Sequence, residues 1–286
     1  FAQLSFTNSN SRLASPAFHS GCPVSVVDWN NDGLDDIIRL DNGKHCYVDV
    51  HKTNQQYQRI FLGTFSGSTW AMAVADLDKN GYKDVVAGGA FGSVEILKTN
   101  NSGTGATLSS LSNSNFFLQN LTMADFDNDG WIDIFCCDDN AASHIYLNNG
   151  SGGFGAQSNI INFNLPNGSD NSGNYGSVWT DFDNDGDLDL YIAKCRQSVN
   201  NPSDPRRINV LFVNNGNGTF TENAAAYNIN IGWQTWTAAF GDIDNDGDLD
   251  LFVSNGIGKR MNDIDYIKFA SDEVIQEKIR EKKFDE

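Results

Sequence analysis

The sequence predicts an all-β chain, a β-propeller of four-stranded antiparallel blades, on three observations. An acidic nonapeptide recurs five times, each copy runs straight into a short apolar segment, and strand-length runs broken by Gly and Asn turns fill the intervals. The copies are DWNNDGLDD from Asp28, DLDKNGYKD from Asp76, DFDNDGWID from Asp125, DFDNDGDLD from Asp181 and DIDNDGDLD from Asp242. All read D-x-D/N-x-D/N-G-x-x-D, and their starts lie 48, 49, 56 and 61 residues apart. A period in that range marks a repeat architecture, because each unit buries its apolar face only against its neighbours.

Within the second unit, TWAMAVAD enters the acidic loop, KDVVAGG leaves it, SVEILKT returns after a glycine turn and GATLSSL follows. Four such antiparallel strands make one blade. The third strand recurs as SHIYLNNG and INVLFVNNG, ending in Asn-Gly, a hairpin signal in which both residues accept positive φ. Small residues precede the loops, Ala71, Ala73 and Ala75 in one unit and Ala238, Ala239 and Gly241 in another, as a crowded innermost strand requires.

The two ends of the chain read differently. FTNSN places Phe6 22 residues before Asp28, just as FTENA places Phe220 22 residues before Asp242. Phe6 is therefore expected on a fourth strand that completes the last blade and leaves no free sheet edge. Residues 257–286 lack a third strand ending in Asn-Asn-Gly. There Ser271 as N-cap, Asp272 and Glu273 in the first turn, and the stripe of Ile275 with Ile279 predict a short helix outside the regular blades. The expected division is a propeller over 1–256, with at least five repeats, and an extension over 257–286 that continues in the native protein.

The formal net charge is −18, and positions 1, 3, 5 and 9 of the five loops hold 18 of the 37 acids. The remainder of the chain is close to neutral, so the acidity is local. No basic patch supports nucleic-acid binding, and no apolar run is long enough to span a membrane. Crowded carboxylates repel by about 1 kcal/mol per close pair even in water. A cation in each loop relieves that repulsion.

Calcium takes roughly six to eight oxygen ligands, and a tight turn with acids at alternating positions supplies them. Side chains at positions 1, 3, 5 and 9 and the carbonyl at position 7 are the expected ligands, with Gly at position 6 for the bend. In the first loop these are Asp28, Asn30, Asp32, Asp36 and Leu34; in the second, Asp76, Asp78, Asn80, Asp84 and Tyr82. The third uses Asp125, Asp127, Asp129, Asp133 and Trp131, and the fourth Asp181, Asp183, Asp185, Asp189 and Asp187. The fifth uses Asp242, Asp244, Asp246, Asp250 and Asp248. About five calcium ions are expected, the weakest in the first two loops, where Asn30 and Asn80 replace acids and Lys79 and Lys83 flank the turn. An EF-hand needs an acid at position 12, where this chain has Arg39, Ala87, Cys136, Ile192 and Val253. A ligand set drawn from one short turn leaves little room for substrate, so the metal is read as structural.

These five units, with the apolar run after each, resemble the FG-GAP or VCBS-type repeats of integrin α-subunit propellers and of secreted bacterial proteins. VLFVNNGNGTFTENAAAYNI and FVSNG resemble the ASPIC/UnbV-associated branch in particular. The resemblance implies an extracellular, calcium-binding propeller that recognises or adheres to a protein or glycan.

No catalytic constellation stands out. His19, His45, His51 and His144 are scattered, no G-x-S-x-G elbow occurs, and GSGGFG at Gly150 sits in a hairpin turn with no helix after it. The chain is read as a non-enzymatic recognition module. The alternatives are a polysaccharide-active enzyme on the same scaffold and an assembly component that docks a partner chain through the C-terminal helix. The five cysteines are expected as buried free thiols, with a Cys22–Cys46 bridge left open. For Trp70, Trp179, Trp233 and Trp236, core packing and stacking on a sugar both stay open. Strand parity places the long segments 163–176 and 196–207, and the turn around Trp233, on the face opposite the metals. Tyr175, Arg196, Arg206, Arg207 and Trp233 are the candidate ligand contacts there.

Overall fold

The structure, a computed structural model, describes residues 7–14, 19–164 and 169–256. The strand expected at Phe6 and the helix expected from Ser271 lie outside these residues. The chain divides into units Phe1–Ser254 and Asn255–Glu286, and of the second only residues 255 and 256 are described.

The first unit is a succession of antiparallel sheets, each in chain order. The first contains β1 (Ser20–Val27), β2 (Asp36–Asp41), β3 (His45–His51) and β4 (Tyr57–Thr64). The second contains β5 (Ala71–Ala75), β6 (Asp84–Gly88), β7 (Glu95–Thr99) and β8 (Ala106–Ser110), the four runs read in the second repeat. The third has β9 (Leu118–Ala124), β10 (Asp133–Asp138) and β11 (His144–Tyr146), its fourth edge reduced to the bridges Ile145–Ser158 and Asn148–Phe154. The fourth has β12 (Asn174–Thr180), β13 (Asp189–Lys194), β14 (Val210–Asn214) and β15 (Phe220–Glu222), and the fifth only β16 (Thr235–Gly241) and β17 (Asp250–Asn255). Among the described residues there is no α-helix, only a 3-10 turn at Asn10–Arg12, and the sheets do not close a ring.

The apolar runs after the acidic loops become the second strands, and burial explains why they do not alternate. Every residue of β6, β10 and β13 is buried, because a sheet packs on each side of them. Successive side chains then serve successive cores. Val85 joins Trp29, Ile38 and Val48 between the first and second sheets, while Val86 joins Leu121, Ile134 and Tyr146 between the second and third. Phe135 and Leu190 meet between the third and fourth sheets, and Tyr191 meets Ala238, Leu251 and Val253 between the fourth and fifth. The first strands touch in series, β1 with β5, β5 with β9, β9 with β12 and β12 with β16.

One expectation needs correction, and two open readings are narrowed. In the Asn-Gly turns only glycine takes positive φ, 79° at Gly150 and 69° at Gly216. Asn149 instead accepts hydrogen bonds from Ser151 and Gly153 N–H through Oδ1, and the loop closes from Asn149 N–H to Gly153 O at 2.9 Å. This is a wider turn than a two-residue hairpin. Cys46 is a buried free thiol, as are Cys136, Cys137 and Cys195, so it forms no bridge with Cys22. Of the four tryptophans, Trp179 is partly buried and packs against the core between the third and fourth sheets, stacked on Phe126 at 3.9 Å between centroids. Trp70, Trp233 and Trp236 are exposed, although Trp70 rests on Phe117 at 5.3 Å between ring centres.

Candidate metal centres

The five acidic loops make one repeated turn. Position 4 is left-handed in each, with φ of 58° at Asn31, 57° at Lys79, 58° at Asn128, 61° at Asn184 and 60° at Asn245. Asn tolerates that region better than most residues, which accounts for its recurrence at a position the metal-ligand pattern ignores. Gly at position 6 follows with φ between 85° at Gly33 and 96° at Gly186.

Carboxylates organise the rest of the turn. The position 1 side chain accepts from the N–H of positions 5 and 6, as when Asp125 takes Asp129 N–H at 3.0 Å and Gly130 N–H at 2.8 Å. Position 5 accepts from the N–H of position 7, as from Asp129 to Trp131 at 2.8 Å. Position 9 is different in kind. It is buried in the first four loops and ties the loop to two strands at once. Asp133 accepts from Phe126 N–H at 2.9 Å and from Asn148 N–H, just beyond β11, at 2.8 Å. Asp36, Asp84 and Asp189 repeat this with Trp29 and His51, Leu77 and Thr99, and Phe182 and Asn214. The alternating pattern did not distinguish position 9 as the structural node. The signal was its place at the head of the apolar strand.

Burial pushes the carboxyls of Asp84 and Asp133 up to about 7 and that of Asp189 up to about 6, against the pull of their backbone hydrogen bonds. The neighbouring acids at positions 1, 3 and 5 push in the same direction. A group in that setting is relieved either by a proton or by a cation.

Four acidic triads have carboxylate oxygens all within 4.8 Å of one another: Asp76, Asp78 and Asp84; Asp125, Asp127 and Asp133; Asp181, Asp183 and Asp189; and Asp242, Asp244 and Asp246. Each could hold a metal ion. The first loop gathers no such triad among the described residues, since Asn30 occupies position 3 and donates Nδ2–H to Asp32 at 3.0 Å. The last triad uses position 5 in place of position 9. Asp250 accepts Ile243 N–H at 2.9 Å but lies in the two-stranded sheet, where the described residues bring no third-strand N–H to it.

The second loop carries a further lysine contact. Lys79 turns away from the acids and lies 3.9 Å from the centre of the Trp131 ring on the next loop. The lysine that reaches a candidate ligand is Lys98, unnoticed in the sequence, with Nζ 3.2 Å from Asp78 Oδ2.

On the side of the long connections, the structure draws several predicted contacts together but occupies most of their polar groups. Arg206 pairs with Asp204 at 2.8 Å and Asp170 at 3.3 Å, Arg196 donates to Asp139 O at 3.0 Å, and Arg207 donates to Val199 O at 2.9 Å. Tyr175 lies 5.7 Å from Trp236 between ring centres, and Trp233 is 63% exposed.

Oxygen-only acidic loops at the head of paired strands define a class of all-β repeat protein. This chain belongs to the FG-GAP-like repeat family, which matches residues 28–87, 76–136, 125–192 and 194–253. No curated protein matches it in sequence. Among solved structures it is similar to the V. cholerae biofilm matrix protein Bap1, at 18% identity and a TM-score of 0.42 over 82% of this chain and 35% of that one. It is also similar to the exotype rhamnogalacturonan lyase YesX, at 14% identity and a TM-score of 0.46 over 82% of this chain and 45% of that one. The chain thus spans less than half the length of either protein. No helix among the described residues is long and apolar enough to cross a membrane.

Proposed function

We propose that the chain is an extracellular, calcium-stabilised β-propeller module that recognises a protein or glycan partner. The observation that carries this reading is the repeated position 9 carboxylate, which joins each acidic loop to the strands behind it. A hard cation at that point is bound by the fold and in turn holds it. Calcium suits the donors, which are oxygens on a turn that also offers backbone carbonyls. Because every ligand comes from one loop, the ion acts as a fastener and leaves recognition to other surfaces.

Ring closure is supported by the serial contact of the first strands and by the bare outer faces of the end sheets. Val24 and Val26 on β1 and Phe252 on β17 are more than half exposed, as expected of faces that a closed propeller covers. For the partner, the exposed rings of Trp233 and Trp236, the latter 5.7 Å from Tyr175 between ring centres, offer flat contact surface. Screening the protein against glycan and protein arrays in millimolar calcium, beside a Trp233→Ala, Trp236→Ala double variant, tests the assignment. Binding should vanish in the double variant while calcium-dependent melting persists. Undiminished binding there would place the partner elsewhere.

A further inference from the structure

Lys194 closes the apolar strand β13 and is 1% exposed, with Asn174 directly opposite it on β12 at 4% exposed. Lysine is almost never buried to that extent without a paired acid, because removing an ammonium from water costs several kcal/mol. Here Nζ reaches Asn174 Oδ1 at 2.8 Å, and among the described residues no carboxylate forms an ion pair with it. The amide is held from the other side. Asn174 Nδ2 donates to Asp138 O at 2.9 Å, Ala141 O at 2.7 Å and Asn171 O at 2.9 Å, which turns the carbonyl toward the amine. The backbone N–H of Lys194 is fixed by Asn209 Oδ1 at 2.7 Å, so the strand end is located from both sides.

From this arrangement we infer that Lys194 and Asn174 join in an intramolecular isopeptide bond, a covalent cross-strand brace at the end of the fourth sheet opposite its acidic loop. The reaction balances without oxidant, reductant or cofactor. The Nζ lone pair attacks Asn174 Cγ, the new C–N bond forms, and the bond from Cγ to Nδ2 breaks. One proton passes from Nζ to Nδ2, and ammonia leaves. Burial supports the attack by drawing the Lys194 amine down to about 7, so that a neutral nucleophile is present near neutral pH. Asp139 brings a carboxyl to the same strand end to carry the proton. Its carbonyl accepts Gly173 N–H at 2.9 Å, and its buried Oδ1 has no hydrogen bond and lies 3.7 Å from Arg196 Nη1, while Oδ2 faces Gln119 Nε2 at 3.5 Å. The product replaces a buried amine that has no ion pair with a neutral amide.

Intact mass of the folded, purified protein tests the bond, because the linked chain is lighter than its sequence by one molecule of ammonia. Digestion on the N-terminal side of aspartate should then yield residues 170–180 and 189–203 as one branched peptide. Lys194→Met and Asn174→Ala should each restore the full mass of their own sequences, and Asp139→Asn should leave part of the protein unlinked. A wild-type chain at full mass, with the two peptides separate, overturns the inference and needs no variant to fold. Complete linkage in Asp139→Asn removes Asp139 from the proton transfer.

Discussion

Residues of one type do different work in this protein, and substitution should separate them. Trp179 stacks on Phe126 and meets the edges of Phe135 and Phe220, whereas Trp233 stands in solvent. Trp179→Ala is expected to cost a sizeable part of the about 3–5 kcal/mol of a large ring lost from a core, since Trp179 is partly buried there. Trp233→Ala should stay within about 0.5 kcal/mol of the parent. Urea titrations of the two variants check this, and equal losses would contradict the packing of Trp179 against the core. Carboxylates divide in the same way. Asp133→Ala removes the acceptor of two buried N–H groups and should destabilise the protein even in EGTA, by roughly 1–3 kcal/mol per orphaned group. Asp127→Ala, at position 3, should lower only the part of the stability that calcium supplies.

At the scale of the element, proton and cation are expected to compete for the buried position 9 carboxyls of the second and third loops. The carboxyls of Asp84 and Asp133 sit near 7 in the metal-free fold against an ordinary value of 3.8. Their folded values lie above the unfolded ones, so the stability they contribute is full below about pH 4 and is lost as pH rises through about 7. In EGTA this source should lower the melting temperature between about pH 5 and pH 7.5, and saturating calcium should flatten or reverse the trend. Parallel curves with and without calcium would contradict proton–metal exchange at these sites. In the second loop, Lys98 holds Asp78 in an ion pair that an incoming cation must displace. Lys98→Gln is expected to raise calcium affinity there by several-fold, read by calorimetry against the parent. Lys79→Gln should have the smaller effect, because Lys79 rests on Trp131.

For the whole molecule, calcium and folding should be inseparable. An ion that binds only the native chain adds about 2.7 kcal/mol per site at a hundredfold excess over Kd. Several such sites distributed along successive sheets make the effect large. Melting in EGTA should precede melting in millimolar calcium by well over ten degrees, and coincident midpoints would refute a structural role for the metal. The sheets nearest the ends of the described fold should open first. Hydrogen exchange is expected to show β16 and β17 less protected than β6, β10 and β13, whose residues are wholly buried.

Much of this architecture is written locally. The nonapeptide specifies its own turn, since Asp at position 1 bonds N–H groups four and five residues on and Gly at position 6 relieves the bend. The apolar run after it reads as a strand, and in β6, β10 and β13 that strand is buried on both faces, so the repeat and its strand order were legible in the sequence. What the sequence left open depends on groups far apart in the chain. Lys98 meets Asp78 across a strand pairing, Arg206 meets Asp170 from 36 residues away, and Asn174 comes to face Lys194 only through the register of β12 on β13. Lys194 was visible as a lone charge in LYIAKC, but nothing local says whether such an amine points to water or to an amide. That choice belongs to the packed sheets, because desolvation is a property of everything that surrounds a group.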